Sequence, residues 1–357
     1  MQTQTVVQQY GANLPDLIGM LALENSEHPT IKALVDIGRD HLQMCLPMPK
    51  HPELPVSTLD PVEVGGFTLA QHPPMAAMEL LRGSVNIPAL PEILLQLFNV
   101  VNSNRCSFGN VARVVRMDPA LTATVLKVAN SAAVGMQTPV SDLKQAVGLV
   151  GMDELSAMAM GSAYLSQFKM HPDAGVDLPL FWKHSFCVGV LAKNLARGLG
   201  LPNCERYFVA GLLHDVGRLA LYANLPGFVD MVQSYCQQTG HSLQVVEKDA
   251  CGFDHAAFGA TLLHSWNLPL GIVEMVHRHH QPELAQKEYA EILYMADVLT
   301  TLIGHGPSTL AIVPELNPVP WDSAGVTPPL LYSLMEDITP SLERSFKVLG
   351  GLSNYWN

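Results

Sequence analysis

From residue 81 to residue 302 the apolar residues recur every three or four positions, and no run alternates apolar with polar. That period belongs to helices with one buried face, and it excludes a sheet-based core. The clearest case is LFWKHSFCVGVLAKNLARGLG, residues 180–200, which reads as one long helix stopped by Gly198 and Gly200. Pro91 opens a helix carrying Ile93, Leu94, Leu97, Val100 and Val101. Asp118 followed by Pro119 is a start signal, an N-cap acceptor and then a residue whose missing N–H costs nothing there. Ser141 reads as the cap of a further helix, and Asp153 opens another. The expected fold class is all-α: two packed helical subdomains, the second a helical core that carries the chemistry.

The chain has 357 residues, room for about two domain-sized units. Hydrophobic residues make up 48% and charged ones 15%, which supplies a core and excludes a disordered chain. Residues 1–80 read as an N-terminal extension, with weak helical runs at Leu14–Glu24 and Ile31–Cys45 and a proline-rich strap, PMPKHPELPVSTLDP. Residues 81–167 form the first helical subdomain and 168–300 the second. Residues 301–357 are a loop followed by one covering helix, Leu330–Leu349. No segment approaches the 18 or so uninterrupted apolar residues of a membrane helix. The N-terminus lacks a basic segment ahead of an apolar one, so a cytoplasmic protein is expected. The net charge of −12 disfavours nucleic acid as a partner. Six cysteines without a CxxC pair read as reduced core residues.

Histidine is over-supplied where the helices are most apolar. Nine of the 14 lie between His184 and His305. His214 and Asp215 are adjacent in ERYFVAGLLHDVGRLALYANL, which reads as a single helix. A carboxylate among Leu212, Leu213, Val216 and Leu219 is costly to bury alone, and a divalent cation is one partner that offsets the cost. His184, His255, His279, His280 and Asp297 are further polar groups on or near apolar faces. Six or seven N and O donors brought together by separate helices suit one or two divalent ions, of iron, manganese, zinc, nickel or magnesium. Trp182, Trp266 and the 16 methionines read as packing residues. Cys187 and Cys251 read as buried inert thiols, and His241, His264 and His277 as structural or surface groups.

The order His184, His214-Asp215, Asp297 resembles the H…HD…D pattern of the HD superfamily of metal-dependent phosphohydrolases. The finer resemblance is to the HDOD family, the HD-related output domain of bacterial signalling. It rests on NIPALPEILLQL (86–97), DPALTATVLKVANS (118–131), FWKHS (181–185), AGLLHDVGRLAL (210–221), GFDHAAFGATLLHSWNLP (252–269) and HRHHQP (277–282). The resemblance implies a first helical subdomain packed on an HD-like core. It also implies a regulatory role through a signalling protein partner, without robust turnover. Glu247, just before GFDH, is expected to support the site or the helix packing. The chain departs from the related HD-GYP phosphodiesterases in three places. HHQPELAQKEYA lacks the GYP segment, Leu180 stands where a glutamate often precedes the first histidine, and Arg218 replaces their lysine. Two alternatives stay open. One is a phosphohydrolase of a nucleotide or cyclic dinucleotide, with Asp215 and Arg218 as its catalytic residues. The other is a sensor that binds a nucleotide without cleaving it.

Overall fold

A computed structural model of the chain describes residues 28–41, 63–64, 67–68, 92–101, 107–131, 134–165, 176–225, 228–239, 241–282, 289–306 and 316–350. The described residues are all-α apart from one two-residue antiparallel pair, β1 (Glu63–Val64) with β2 (Phe67–Thr68). The run Leu14–Glu24 and the proline-rich strap lie outside the described residues.

The first helix, α1 (Pro29–His41), buries Ile31 and Leu34 completely. The first subdomain follows as α2 (Glu92–Val101), α3 (Phe108–Val115), α4 (Pro119–Ala129), α5 (Leu143–Val150) and α6 (Met152–Leu165). Asp118 caps α4 as its position demands, accepting from the Leu121 N–H at 2.9 Å, with Pro119 in the first turn. The cap of α5 is Asp142 rather than Ser141: its carboxylate accepts from the Gln145 N–H at 2.7 Å. The two residues are adjacent, and the chain places the stronger acceptor at the position whose oxygen meets the third residue of the helix.

The second unit is built on α7 (Leu178–Gly198), started by Asp177 and buried along most of its length. Around it stand α8 (Glu205–Leu213), α9 (Val216–Asn224), α10 (Phe228–Thr239), α11 (Leu243–Cys251), α12 (His255–Ser265), α13 (Leu270–Arg278) and α14 (Tyr289–Leu302). A short helix, α15 (Val319–Ser323), interrupts what reads as a loop in the sequence, and its Trp321 is fully buried. The last helix, α16 (Pro328–Gly350), packs on α7, α6 and α1. No helix among the described residues is long and apolar enough to cross a membrane.

Two close crossings set the geometry of the second unit. A Cβ on Gly211 of α8 would stand 2.6 Å from the Gly189 Cα of α7. A Cβ on Gly217 of α9 would stand 2.4 Å from the Gly259 nitrogen of α12. Backbones this close tolerate no side chain between them. His184 lies about a turn before the first crossing and His214 about a turn after it. Asp215 lies two residues before Gly217 and His255 about a turn before Gly259, so both stand close to the second crossing.

Candidate metal centre

The chain does not carry His214 and Asp215 on one continuous helix. α8 ends at Leu213 and α9 begins at Val216. His214 keeps helical angles, but Asp215 sits at φ −94°, ψ 10°, and the Leu219 N–H closes back onto its carbonyl at 3.2 Å. Apolar spacing runs unbroken through this point, which is why the sequence reads as one helix. The break has a consequence for chemistry. Neighbouring residues of a straight helix diverge by about 100°. Here His214 Nε2 and Asp215 Oδ1 come within 3.6 Å.

Four ring nitrogens have their hydrogens assigned by what they face. His184 Nδ1 donates to the His305 carbonyl at 2.8 Å, His214 Nδ1 to the Gly211 carbonyl at 2.7 Å and His279 Nδ1 to the Val276 carbonyl at 2.6 Å. A carbonyl only accepts, so each Nδ1 holds a proton and each neutral ring presents a bare lone pair at Nε2. His255 Nδ1 meets the Glu247 carboxylate at 2.5 Å, and the same Glu247 oxygen takes the His255 backbone N–H at 2.8 Å.

The Nε2 atoms converge. His184 Nε2 lies 3.2 Å from His214 Nε2 and 3.3 Å from Asp297 Oδ1. In the metal-free protein burial would raise the Asp297 carboxyl, but a hydrogen bond from His184 holds it below the usual range; with that proton displaced, the three atoms are electron-pair donors set around one point. His279 Nε2 is buried and has no hydrogen-bond partner among the described residues. His280 Nε2 is 2.7 Å from His255 Nε2, which is 3.3 Å from Asp215 Oδ1. Among the described residues, three groups have ligand atoms within 4.8 Å of one another: His184, His214 and Asp297; His214, Asp215 and His279; and His255, His279 and His280. The first and last are separate triads, and the middle one shares a histidine with each. Neutral imidazoles and ionised carboxylates are the donors that divalent cations take. The residues therefore fit a metal.

Electrostatics hold Asp215, His214, His279 and His280 in ligating form. Burial would raise the Asp215 carboxyl, but His214, His255 and Arg218 keep it well below the usual range. Burial, opposed by the neighbouring carboxylates, lowers His214. Burial and the adjacent histidines push His279 down to about 4 and hold His280 well below an ordinary histidine. His255 is the exception: burial opposes its charge, yet the Glu247 carboxylate and its hydrogen bond raise it to about 9.

All seven expected ligands are thus brought to one centre. His184, His214, Asp215, His255 and His279 are buried, while Asp297 and His280 are half-buried. Arg218 belongs to the centre in another way. It is only 4% exposed, and its guanidinium is directed at Asp215 Oδ2 (3.2 Å) and the Tyr222 hydroxyl (3.0 Å) rather than at solvent. Glu247, fully buried, orients His255 as a supporting carboxylate. The His305 carbonyl is the participant that the sequence does not announce, because any residue type supplies a carbonyl. Cys187 is buried beside His184 in sequence, and burial pushes its thiol up. Burial likewise pushes Cys251 up to about 12, so both are poor thiolate ligands.

The HDOD domain model matches residues 87–282. The chain belongs to the HDOD family. Three solved structures share the fold of this HDOD chain. One is an HDOD domain protein of unknown function from Geobacter sulfurreducens, 24% identical, covering 76% of this chain and 96% of its own, with TM-score 0.60. A candidate signal transduction protein from Marinobacter aquaeolei VT8 is 22% identical, covering 82% of this chain and 68% of its own, with TM-score 0.63. A candidate phosphohydrolase from Shewanella amazonensis SB2B is 24% identical, covering 78% and 98%, with TM-score 0.57. A curated relative, an uncharacterized protein of Treponema pallidum (strain Nichols), is 26% identical over 212 residues. That alignment takes in 58% of this chain and 40% of the relative's length.

Proposed function

We propose that this HDOD chain is a regulatory signal-transduction protein whose HD-like centre binds divalent cations, and that a protein partner reads the metal-bound state. The observation that carries the reading is the set His184 Nε2, His214 Nε2 and Asp297 Oδ1, three acceptors facing one point. His184, His214 and Asp297 would hold one ion and His255, His279 and His280 a second. Asp215 Oδ1, near both His214 and His255, stands between the two. The nitrogen-rich donor set favours manganese, iron, zinc or nickel over magnesium. A divalent ion bound there supplies positive charge for a buried acidic group and Lewis acidity toward a bound oxygen.

The protein's own residues supply the rest. The Gly211, Val276 and His305 carbonyls fix which nitrogen of each ring ligates. Glu247 does the same for His255 and holds a proton on its Nδ1. Arg218 neutralises Asp215 from behind and keeps Oδ1 turned toward the histidines. Spent in this way, Arg218 is a positioning residue, which weighs toward regulation over turnover.

A second reading, hydrolysis of a nucleotide or cyclic dinucleotide phosphoester, is favoured by the two adjacent triads, since paired ions suit in-line displacement at phosphorus. The experiment is elemental mass spectrometry of the purified chain, wild type beside His214→Ala and Asp215→Ala. One or two equivalents in the wild type, lost in both variants, is the expected result. No metal in the wild type, even after reloading, overturns the proposal. A screen of phosphoesters then separates the readings: turnover abolished by His214→Ala establishes the hydrolase, and saturable binding without turnover a sensor.

A further inference from the structure

The C-terminal helix lies outside the segment that matches the HDOD family, yet it reaches the metal centre through a short chain of contacts. His184 Nδ1 donates to the carbonyl of His305. The His305 ring packs edge-on against Phe346 of α16, ring centres 4.9 Å apart. Phe346 is itself held from α7: the Lys183 ammonium lies 4.5 Å from its centre, and Phe186 meets it at 6.3 Å. The neighbouring Ser345, buried, donates its hydroxyl to the Glu154 carboxylate of α6. One turn of α16 therefore touches the first subdomain, the helix that bears the first ligand, and the segment whose carbonyl orients that ligand.

We propose that docking of α16 sets the metal-binding competence of His184, with Phe346 and His305 as positioning residues. While Phe346 holds the His305 ring, the His305 carbonyl stays on Nδ1, the proton stays there, and Nε2 is free to ligate. When the last turns of α16 leave, the His305 ring loses that packing; its N–H still bonds the Thr300 carbonyl at 3.0 Å, but the His305 carbonyl is placed less firmly and the His184 ring gains freedom to change tautomer or rotate. Metal binding and helix docking are then coupled, and the coupling is reciprocal. The first subdomain shares in it through Glu154 and Ser345. This inference rests on the metal-binding reading above.

The test uses the full chain with zinc as the probe, titrated against a chromophoric chelator. Phe346→Ala should weaken zinc binding by about tenfold, the usual scale for loss of a group that orients a ligand. Phe346→Leu, which keeps apolar bulk on the His305 ring, should restore most of it. His305→Ala keeps the carbonyl but removes the ring, and should match Phe346→Ala; this variant serves if Phe346→Ala does not fold. In the reverse direction, zinc should slow amide exchange in residues 341–347 of the wild type. Zinc affinity within twofold of wild type in both alanine variants, or exchange in 341–347 indifferent to zinc, overturns the proposal. Nitrogen-15 NMR of the metal-free chain keeps it separate from the reading on which it rests. If the wild type takes up no zinc, the metal proposal fails while the clasp is still judged. Loss of the His184 Nδ1 proton signal in Phe346→Ala supports the clasp, and an unchanged signal refutes it.

Discussion

Gly217 of α9 rests on the start of α12 so closely that a Cβ there would stand 2.1 Å from the His255 carbonyl oxygen. The contact sits two residues after Asp215 and at His255 itself, so it fixes the distance between Asp215 and His255. Gly217→Ala must push α9 off α12, and backbone on both sides leaves no flexible side chain to yield. Overpacking of this kind costs about 1–3 kcal/mol, occasionally more. We expect that loss in denaturant unfolding, together with metal content below wild type. A variant with unchanged stability would show that the two helices slide apart freely.

The buried pair Arg218–Asp215 should respond very unequally to single and double changes. Arg218→Met leaves a carboxylate that is 4% exposed without its arginine, with the histidines beside it as the remaining partners, and Asp215→Asn leaves an arginine that is also 4% exposed without this carboxylate. Breaking such a pair from one side costs about 3–5 kcal/mol. The double variant removes both charges and should lose less than the sum of the singles. A double-mutant cycle by chemical denaturation of the metal-free protein checks this. Additive losses would mean that solvent or another group satisfies each charge separately.

Much of this was legible in the residues. Asp118-Pro119 announces its helix because capping is local chemistry, and the site histidines stand out because so many polar groups fall on or near the apolar faces of separate helices. What stayed hidden depends on contacts between distant segments. The break at Asp215 carries no proline or glycine of its own; the crossing of Gly217 with Gly259 places α9 against α12. The choice of Asp142 over Ser141 lies within one residue, below what periodicity resolves. His305 acts through its carbonyl, to which its side chain gives no clue.

Lys193 joins three helices. Its ammonium lies 2.8 Å from Asp153 of α6 and 2.7 Å from Glu205 of α8, and it is 7% exposed. Burial would lower its pKa, but the two carboxylates outweigh that and raise it. A raised lysine contributes stability in full below its unfolded pKa and loses it as pH rises through the folded one. Lys193→Met should therefore destabilise at pH 7, by about 1–3 kcal/mol given that both carboxylates are partly solvated. The gap to wild type should narrow above the ordinary lysine range. Paired denaturation curves at neutral and strongly alkaline pH measure it, and a gap that does not change with pH would show that the charge is irrelevant.

Glu247 carries the most direct test of how the centre is tuned. Its carboxylate holds both the backbone N–H and the Nδ1 proton of His255. In the metal-free protein it keeps His255 charged to about pH 9, against the pull of burial. Glu247→Gln keeps the shape and removes the charge, so His255 should become neutral below pH 7, visible in its ring nitrogen shifts. The sign for stability follows. The raised histidine contributes fully below its unfolded pKa of about 6.5 and loses that contribution as pH rises toward 9. The variant should therefore be most destabilised near pH 6 and least near pH 10. Toward metal it should weaken binding by about tenfold or more, because a carboxylate behind a histidine raises its basicity and fixes its orientation. Should His255 still titrate near 9 in the variant, its proton would be held by Asp215 instead, and that carboxylate rather than Glu247 would set the charge of the centre.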